Sequence, residues 1–77
     1  MTAGLVIDCR GQRCPLPIFV LARRIGEVAV GDVVQVEADD PAAPGDVAAW
    51  CRMRGHEYLG SGRAADGVAQ PTVRRLH

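Results

Sequence analysis

The 77-residue chain contains no lysine, so nine arginines provide all of its permanent positive charge and balance nine aspartates and glutamates. Chemistry that forms a Schiff base on a lysine amine is therefore excluded. The formal net charge is zero. A balanced chain has no overall electrostatic attraction to nucleic acid or to a membrane surface, and we expect neither as a direct partner.

Long apolar runs are also absent, and no stretch approaches the ~20 residues of a membrane-spanning helix. The N-terminal residues Met1-Thr2-Ala3-Gly4 lack the basic and apolar regions of a secretory signal. We therefore expect a cytoplasmic protein. Disulfides are rare in that compartment, and the three cysteines are an odd number, so we expect thiols and no disulfide framework.

The length and composition predict one globular domain spanning residues 1–77. With 48% hydrophobic and 23% charged residues, the chain is not typical of a disordered protein. A chain of this size buries only about 60% of its unfolded surface, so we expect modest stability.

The pattern of apolar residues predicts the element order β-α-β-α-β-β. Right-handed crossovers would place both helices on one face of a mixed four-stranded sheet, which gives a two-layer α/β (α+β) sandwich. The predicted strands are residues 5–7, 33–39, 56–59 and 68–76, and the predicted helices are residues 15–26 and 43–54.

Alternation in the second predicted strand separates two faces of the sheet. Val34, Val36 and Ala38 fall on one face, which we expect to meet the helices. Gln35 and Glu37 fall on the opposite face with Val33. We expect that opposite face to be largely open to water or to a partner.

Several residues predict how the elements end. Asp39 and Asp40 precede the second helix and offer capping carboxylates to it. Gly26 and Gly55 stand where glycine commonly closes a helix. Pro71 lacks a ladder donor, which predicts that the fourth strand is at an edge or bulged there. Asp66-Gly67 is a turn signal in the loop between the third and fourth strands.

The most reactive candidate is Cys14, in the run Gly11-Gln12-Arg13-Cys14-Pro15-Leu16-Pro17. Proline is favoured at the first helical position, so Pro15 predicts a helix start with Cys14 at or next to the N-cap. A sulfur there would face free backbone N–H groups and the positive end of the helix dipole. This environment predicts a Cys14 pKa lowered from about 8.5 into the range of roughly 3.5–7.5. Arg13, which is always cationic, adds to the same field.

The other cysteines allow more than one interpretation. Cys9 could form a redox dithiol with Cys14 or be an ordinary residue at a strand end. Cys51 lies beside Trp50 on the apolar face of the second helix, which favours core packing. The three cysteines and His56 could also form a Cys₃His zinc set, although their spacing is not that of a zinc knuckle. By itself, His56 is interpreted as the start of the third strand.

The sequence resembles the TusA (SirA-like) family of small sulfur-carrier proteins over about residues 5–59. The resemblance rests on Gly-x-Arg-Cys-Pro-x-Pro around Cys14 and on the segments that follow it. Those segments are Gly31-Asp32, Ala38-Asp39-Asp40-Pro41 and a helix that ends near Gly55-His56. Members of the family have the sandwich architecture that the pattern predicts.

The resemblance implies that Cys14 accepts a persulfide sulfur from a cysteine desulfurase or a rhodanese-type donor and passes it to an acceptor protein. It implies a carrier more than a self-contained enzyme, and no cofactor or metal. The acceptor would belong to tRNA thiolation, molybdenum-cofactor maturation or sulfur oxidation. Gly11 would let the loop turn, Arg13 would support the charge, and Pro15 and Pro17 would hold the loop outward.

Two other functions remain open at this point. One is a thiol redox or regulatory module that uses Cys14 with Cys9. The other is a zinc-stabilised interaction domain.

Overall fold

A computed structural model of the chain describes residues 4–77 and contains the two helices and four strands in the predicted order. Residues 1–3, which are three of the four residues on which the expectation about a secretory signal rests, lie outside the described residues. The elements are β1 (Leu5–Asp8), α1 (Leu16–Arg24), a 3₁₀ turn (Ile25–Glu27), β2 (Val33–Glu37), α2 (Ala43–Arg54), β3 (Glu57–Arg63) and β4 (Ala69–Arg74).

The four strands form one sheet in the order β1-β2-β4-β3. The first two strands are parallel, with Leu5 opposite Val34. The strand pairs β2–β4 and β3–β4 are antiparallel. The predicted mixed sheet with two helices is therefore confirmed.

The core lies between one face of this sheet and the two helices. Val34, Val36 and Ala38 are fully buried, which confirms the face predicted from their alternation. Residues of β1, β4 and both helices pack against the same face. These core residues include Ile7, Leu21, Val47, Trp50, Cys51 and Val73.

The opposite face is covered in part by the chain's own polar side chains. Arg10 forms ion pairs with Asp8 at 3.0 Å, with Glu37 at 2.9 Å and with Asp66 at 2.8 Å. The side chain of Gln70 also donates a hydrogen bond to Glu37 at 2.8 Å. This network joins the ends of β1 and β2 to the turn between β3 and β4.

The prediction that Pro71 marks an edge strand is wrong, because β4 lies between β2 and β3. The ladder between β2 and β4 ends at Gln35–Thr72 and resumes at the isolated bridge Ala38–Ala69. Pro71 is buried in the interval, where its missing N–H interrupts the ladder without moving the strand to an edge. The bulge-like register shift occurs in β3, between Tyr58 and Gly60.

The ends of α2 agree with the sequence, whereas those of α1 differ. The second helix spans the predicted residues and is closed by Gly55 in the left-handed conformation, at φ 78°. The first helix begins one residue later than predicted, at Leu16, and its C-cap is Ile25. Gly26 lies inside the 3₁₀ turn, so its prediction as the C-cap is wrong. None of the helices within residues 4–77 has both the length and the apolar character to cross a membrane.

The β3–β4 hairpin is longer than the sequence predicts. Its first strand continues to Arg63, so half of the predicted loop of residues 60–67 is strand. The turn is closed by backbone hydrogen bonds between Ala64 and Val68 and between Gly67 and Ala64, both at 2.9 Å. Gly67 has a φ of 89°, which agrees with the turn predicted at Asp66-Gly67.

Replacing the buried Cys51 by alanine should lower the free energy of unfolding by about 1 kcal/mol, because it removes a small side chain from the core. Cys51 is only 1% exposed. Met53→Ala is the control, because Met53 lies on the same helix and is 75% exposed. Urea unfolding of both variants measures the difference. Equal losses would contradict the assignment of Cys51 to the core.

Candidate functional site

Two loops meet at one edge of the sheet because β1 and β2 are parallel. The carboxyl ends of both strands lie at that edge, which is where open α/β sheets commonly place their sites. The backbone N–H of Cys9 donates to the Glu37 carbonyl at 2.7 Å and extends the pairing beyond the strands. Next, the N–H of Gly11 donates to the Asp39 carboxylate oxygens at 3.1 and 3.2 Å. Gly11 has a φ of 79°, as the predicted turn requires.

Asp40 fixes the backbone of the candidate nucleophile. Its Oδ2 accepts a hydrogen bond from the N–H of Cys14 at 2.6 Å, and its Oδ1 accepts one from the N–H of Ala42 at 3.0 Å. Hydrogen bonds from the Ala42 and Cys14 amides lower the pKa of Asp40 below its ordinary value of 3.8. The carboxylate therefore ties the Cys14 loop to the chain entering α2.

The prediction that Asp39 and Asp40 cap the second helix is only partly correct. The N-cap of α2 is Ala42, and no side chain caps it. Asp40 does bind the N–H of Ala42, but its other oxygen is used for Cys14. Asp39 binds Gly11 instead of the helix. Both carboxylates hold the loop of residues 9–15, because the parallel strands bring that loop within their reach.

Cys14 is exposed and lies just before the N-cap of α1, which is Pro15. The Cys14–Pro15 peptide bond is cis. The helix begins at Leu16, one residue after Pro15, which was predicted as its first residue.

The backbone groups at the start of α1 are already used. The N–H of Leu16 donates to the Arg13 carbonyl at 2.8 Å, and that of Ile18 donates to the Pro15 carbonyl at 3.0 Å. Pro17 has no N–H to give. Among the N–H groups of this first turn, those two donate to main-chain carbonyls, so they do not stabilise a Cys14 thiolate.

The prediction of a lowered Cys14 pKa is wrong in direction, because the surroundings of the thiol raise its pKa above the ordinary value. The largest cause is hydrogen bonding toward the Asp46 carboxyl. Partial loss of solvent and then the negative charges of Asp46 and Asp40 follow. Arg13, which was expected to stabilise the thiolate, instead contributes to lowering the pKa of Asp40.

Asp46 is the residue near the thiol that the sequence interpretation missed. It lies in the first turn of α2, 32 positions along the chain from Cys14. The helical spacing gave a signal for this position, because residue 46 lies one turn before Trp50 and therefore on the same side of α2 as that apolar residue. Both residues face a cavity of about 240 Å³ between the helices, lined by Cys14, Pro15, Ile18, Asp46, Ala49, Trp50 and Met53.

The four positions expected to support Cys14 have different surroundings. Pro15 is exposed and forms part of the cavity wall beside Cys14. Pro17 is buried and anchors the first turn of α1 to the core. Gly11 provides the positive-φ turn, and Arg13 is exposed. The structure thus brings Pro15 next to the thiol, while Gly11 and Pro17 shape the loop and helix from further away.

Cys9 and Cys51 are buried free thiols. Loss of solvent raises the pKa of both, and that of Cys51 reaches about 11. Core packing of Cys51 is therefore confirmed. Cys9 has no exposed surface and packs in the hydrophobic core, which favours the ordinary strand-end interpretation over a dithiol with the exposed Cys14.

The residues of the possible zinc set are not assembled. Within residues 4–77, no three His, Cys, Asp or Glu side chains are grouped so that they could hold a metal ion. His56 precedes β3 by one residue, and its Nδ1 accepts a hydrogen bond from the N–H of Leu76 at 3.1 Å. Its ring stacks on Trp50 with centroids 5.2 Å apart. His56 therefore joins the end of the chain to α2.

Taken together, the site offers one accessible sulfur whose main chain is held by a buried carboxylate. A thiol in this position can attack a sulfur atom of a docked partner once its proton is lost. The thiol lies at the mouth of a mostly apolar cavity that contains one carboxylate.

Comparison with known proteins identifies the family to which the chain belongs. The family described as sulfurtransferase TusA matches residues 5–75, so the chain belongs to that family. The putative sulfur carrier protein YrkF of Bacillus subtilis is 38% identical over 61 residues, which cover 79% of this chain and 33% of YrkF. The chain thus spans about a third of YrkF's length. Sulfur carrier protein TusA of Pseudomonas entomophila is 39% identical over 54 residues, covering 70% of this chain and 68% of that protein.

A solved structure gives independent support for the fold. The crystal structure of a SirA-like protein from Desulfitobacterium hafniense superposes with a TM-score of 0.79 at 23% identity. The match covers 95% of this chain and 99% of the other.

Cys14 should be the first of the three thiols to react with iodoacetamide, because it alone is exposed. Its reaction at neutral pH should be slow for an exposed thiol, since its raised pKa leaves little thiolate. Competitive alkylation followed by peptide mapping measures the order of labelling. Earlier labelling of Cys9 or Cys51 would contradict the site assignment.

Asp40→Asn should remove part of the acid sensitivity of the fold. The folded-state pKa of Asp40 is below 3.8, so its carboxylate stabilises the protein at neutral pH. This contribution is lost as the pH falls below 3.8 and through the folded-state pKa. The stability difference between wild type and variant should therefore shrink over that range in urea unfolding. Asp32→Asn, at an exposed position, should not change the pH dependence, and identical profiles for both variants would contradict the role of Asp40.

Proposed function

Because the chain belongs to the TusA family of sulfur carriers, we propose that it carries sulfur as a persulfide on Cys14. The observation that carries this proposal is the exposure of Cys14, while the other two thiols are buried in the core. A carrier must present its sulfur to two different proteins in turn, which a buried thiol cannot do. The proposed carrier domain is the whole chain, residues 1–77.

In the loading step, the Cys14 thiolate attacks the outer sulfur of a donor persulfide. A new S–S bond forms on Cys14 as the donor's S–S bond breaks, and the donor cysteine leaves as a thiolate. The Cys14 proton is lost to solvent before the attack. One sulfane sulfur atom is transferred from the donor to Cys14, and no external oxidant or reductant is needed.

In the unloading step, an acceptor thiolate attacks the outer sulfur held on Cys14. The S–S bond on Cys14 breaks, and Cys14 leaves as a thiolate that takes up a proton. The rate of such an exchange depends on the pKa of both the attacking and the leaving thiol. The carboxylates near Cys14 therefore influence both steps of the relay.

The supporting residues mainly fix the position of the Cys14 loop. Asp40 holds the backbone of Cys14, and Gly11 provides the turn that brings the loop to Asp39 and Asp40. Pro17 anchors the following helix in the core, and Pro15 lies at the cavity beside the sulfur. The exposed Arg13 is proposed to contact the partner proteins. None of these roles requires a cofactor.

The proposed donor is a cysteine desulfurase or a rhodanese-type protein, since both present a persulfide. The proposed acceptor is a protein of tRNA thiolation, molybdenum-cofactor maturation or sulfur oxidation. Support for these partners is the family membership, because a sulfur carrier acts between a donor and an acceptor. The proposed setting is the cytoplasm, where thiols remain reduced.

Cys14→Ser should abolish persulfide loading while leaving the fold intact. The substitution changes one exposed atom, so the thermal unfolding midpoint should change little. The proteins are incubated with a cysteine desulfurase and cysteine, and their intact mass is measured before and after thiol reduction. Wild type should gain the mass of one sulfur atom and lose it on reduction, whereas the variant should gain none.

Cys51→Ala is the matched control, because it removes a thiol that the core shields from partners. It should load as wild type does at a temperature at which it is folded. Loading of Cys14→Ser, or failure of folded Cys51→Ala to load, would overturn the proposal. Loss of two hydrogens on oxidation of wild type would instead support the dithiol function.

A further inference from the structure

The cavity beside Cys14 combines an apolar wall with a single carboxylate. Pro15, Ile18 and Trp50 form part of the wall, and Asp46 is the only carboxylate that lines it among the described residues. Among amino-acid side chains, arginine and lysine combine an aliphatic stem with a cationic head. A cavity of about 240 Å³ with these walls suits the end of such a side chain.

One oxygen of Asp46 still lacks a hydrogen-bond donor. Its Oδ2 is shielded from solvent, and no donor within residues 4–77 meets it at hydrogen-bond distance and angle. The interaction of the Asp46 carboxyl with the Cys14 thiol thus leaves this oxygen without a donor. A buried acceptor without a donor is costly, especially when it carries charge, so the oxygen has a strong tendency to gain a partner.

Two carboxylates act on the Cys14 thiol from separate segments. Asp46 approaches from α2, and Asp40 approaches from the loop before that helix. The two oxygens of Asp40 are occupied by the Cys14 and Ala42 amides. Arg13, the adjacent cation, acts on Asp40. Asp46 is thus the carboxylate that remains able to receive an external cation.

We propose that Asp46 gates the proposed sulfur transfer: its carboxylate restrains the Cys14 sulfur in the free carrier, and a cationic side chain of the docking sulfur donor releases it. The cation enters the cavity and pairs with the Asp46 carboxylate, which forms part of its lining. The proposal deepens the carrier function and rests on it.

The release requires only a proton and no electrons. In the free carrier, the negative charge of Asp46 keeps the proton on Cys14. When the cation pairs with Asp46, that charge is neutralised and the S–H proton passes to solvent. The resulting thiolate attacks the donor's outer sulfur, and the donor thiolate leaves. The free carrier is thereby less reactive toward small electrophiles than the docked one.

The first test measures the rate of Cys14 alkylation by iodoacetamide against pH in wild type, Asp46→Asn and Asp46→Glu. Asp46→Asn should move the midpoint of the profile to lower pH. The rate at neutral pH should rise about threefold for each pH unit of this movement, because a tenfold gain in thiolate is offset by weaker nucleophilicity. Asp46→Glu retains the charge and should restore a midpoint close to that of wild type. Asp32→Asn is the control for a lost carboxylate elsewhere and should leave the profile unchanged.

The second test compares loading by a cysteine desulfurase plus cysteine with loading by glutathione persulfide. Asp46→Asn should accelerate loading by the small persulfide but not by the desulfurase, so the ratio of the desulfurase rate to the small-persulfide rate should fall. A structural effect of the substitution would change both rates in parallel and leave the ratio unchanged, which would overturn the gate. An alkylation profile that does not respond to Asp46→Asn would also overturn it.

The two tests separate this inference from the carrier function. Alkylation uses no sulfur donor and can be read even if the protein carries no persulfide. Failure of wild type to load from any donor would overturn the carrier function. If wild type loads but the pH profile of Cys14 alkylation is the same in wild type and Asp46→Asn, only the gate is overturned.

Discussion

Parallel pairing of β1 with β2 is the constraint on which the site depends, because it sends the loops that follow both strands to one edge of the sheet. The loop after β1 carries the thiol, and the loop after β2 carries the aspartates that bind its backbone. Asp40 converts this proximity into a fixed position by accepting the N–H of Cys14. It does so from the chain just before α2, so the same short segment also places Asp46 beside the sulfur.

The electrostatics of this edge oppose the simplest expectation for a reactive cysteine. A helix start and a neighbouring arginine usually favour a thiolate. Here the first-turn N–H groups of Leu16 and Ile18 are used by the main chain, and a carboxylate from the other helix lies at the thiol. Accessibility and low intrinsic acidity therefore coexist at Cys14. For a carrier that must react with chosen proteins and not with every electrophile, that combination is useful.

The sequence predicted best what depends on local periodicity. The order of elements, the bounds of α2, the buried face of β2 and the closure at Gly55 all follow from spacing and residue type. What it failed to predict depends on contacts between distant segments. Pro71 lies in the central strand β4, where it interrupts the ladder to β2 while β3 still pairs with it on the other side. The direction of the Cys14 pKa shift depends on Asp46, which is distant from Cys14 in the sequence.

Arg10 has a consequence for how this edge of the sheet responds to stress. Its guanidinium binds carboxylates from three separate segments, and two of these, Asp8 and Asp66, are largely exposed. Exposed ion pairs are individually weak and screened by salt. Because the three contacts share one cation, however, breaking one leaves the other two in place. The arginine is therefore held redundantly: when salt or acid breaks its contact with Asp66, Asp8 and Glu37 keep the guanidinium at this edge of the sheet, where the hairpin turn can bind it again.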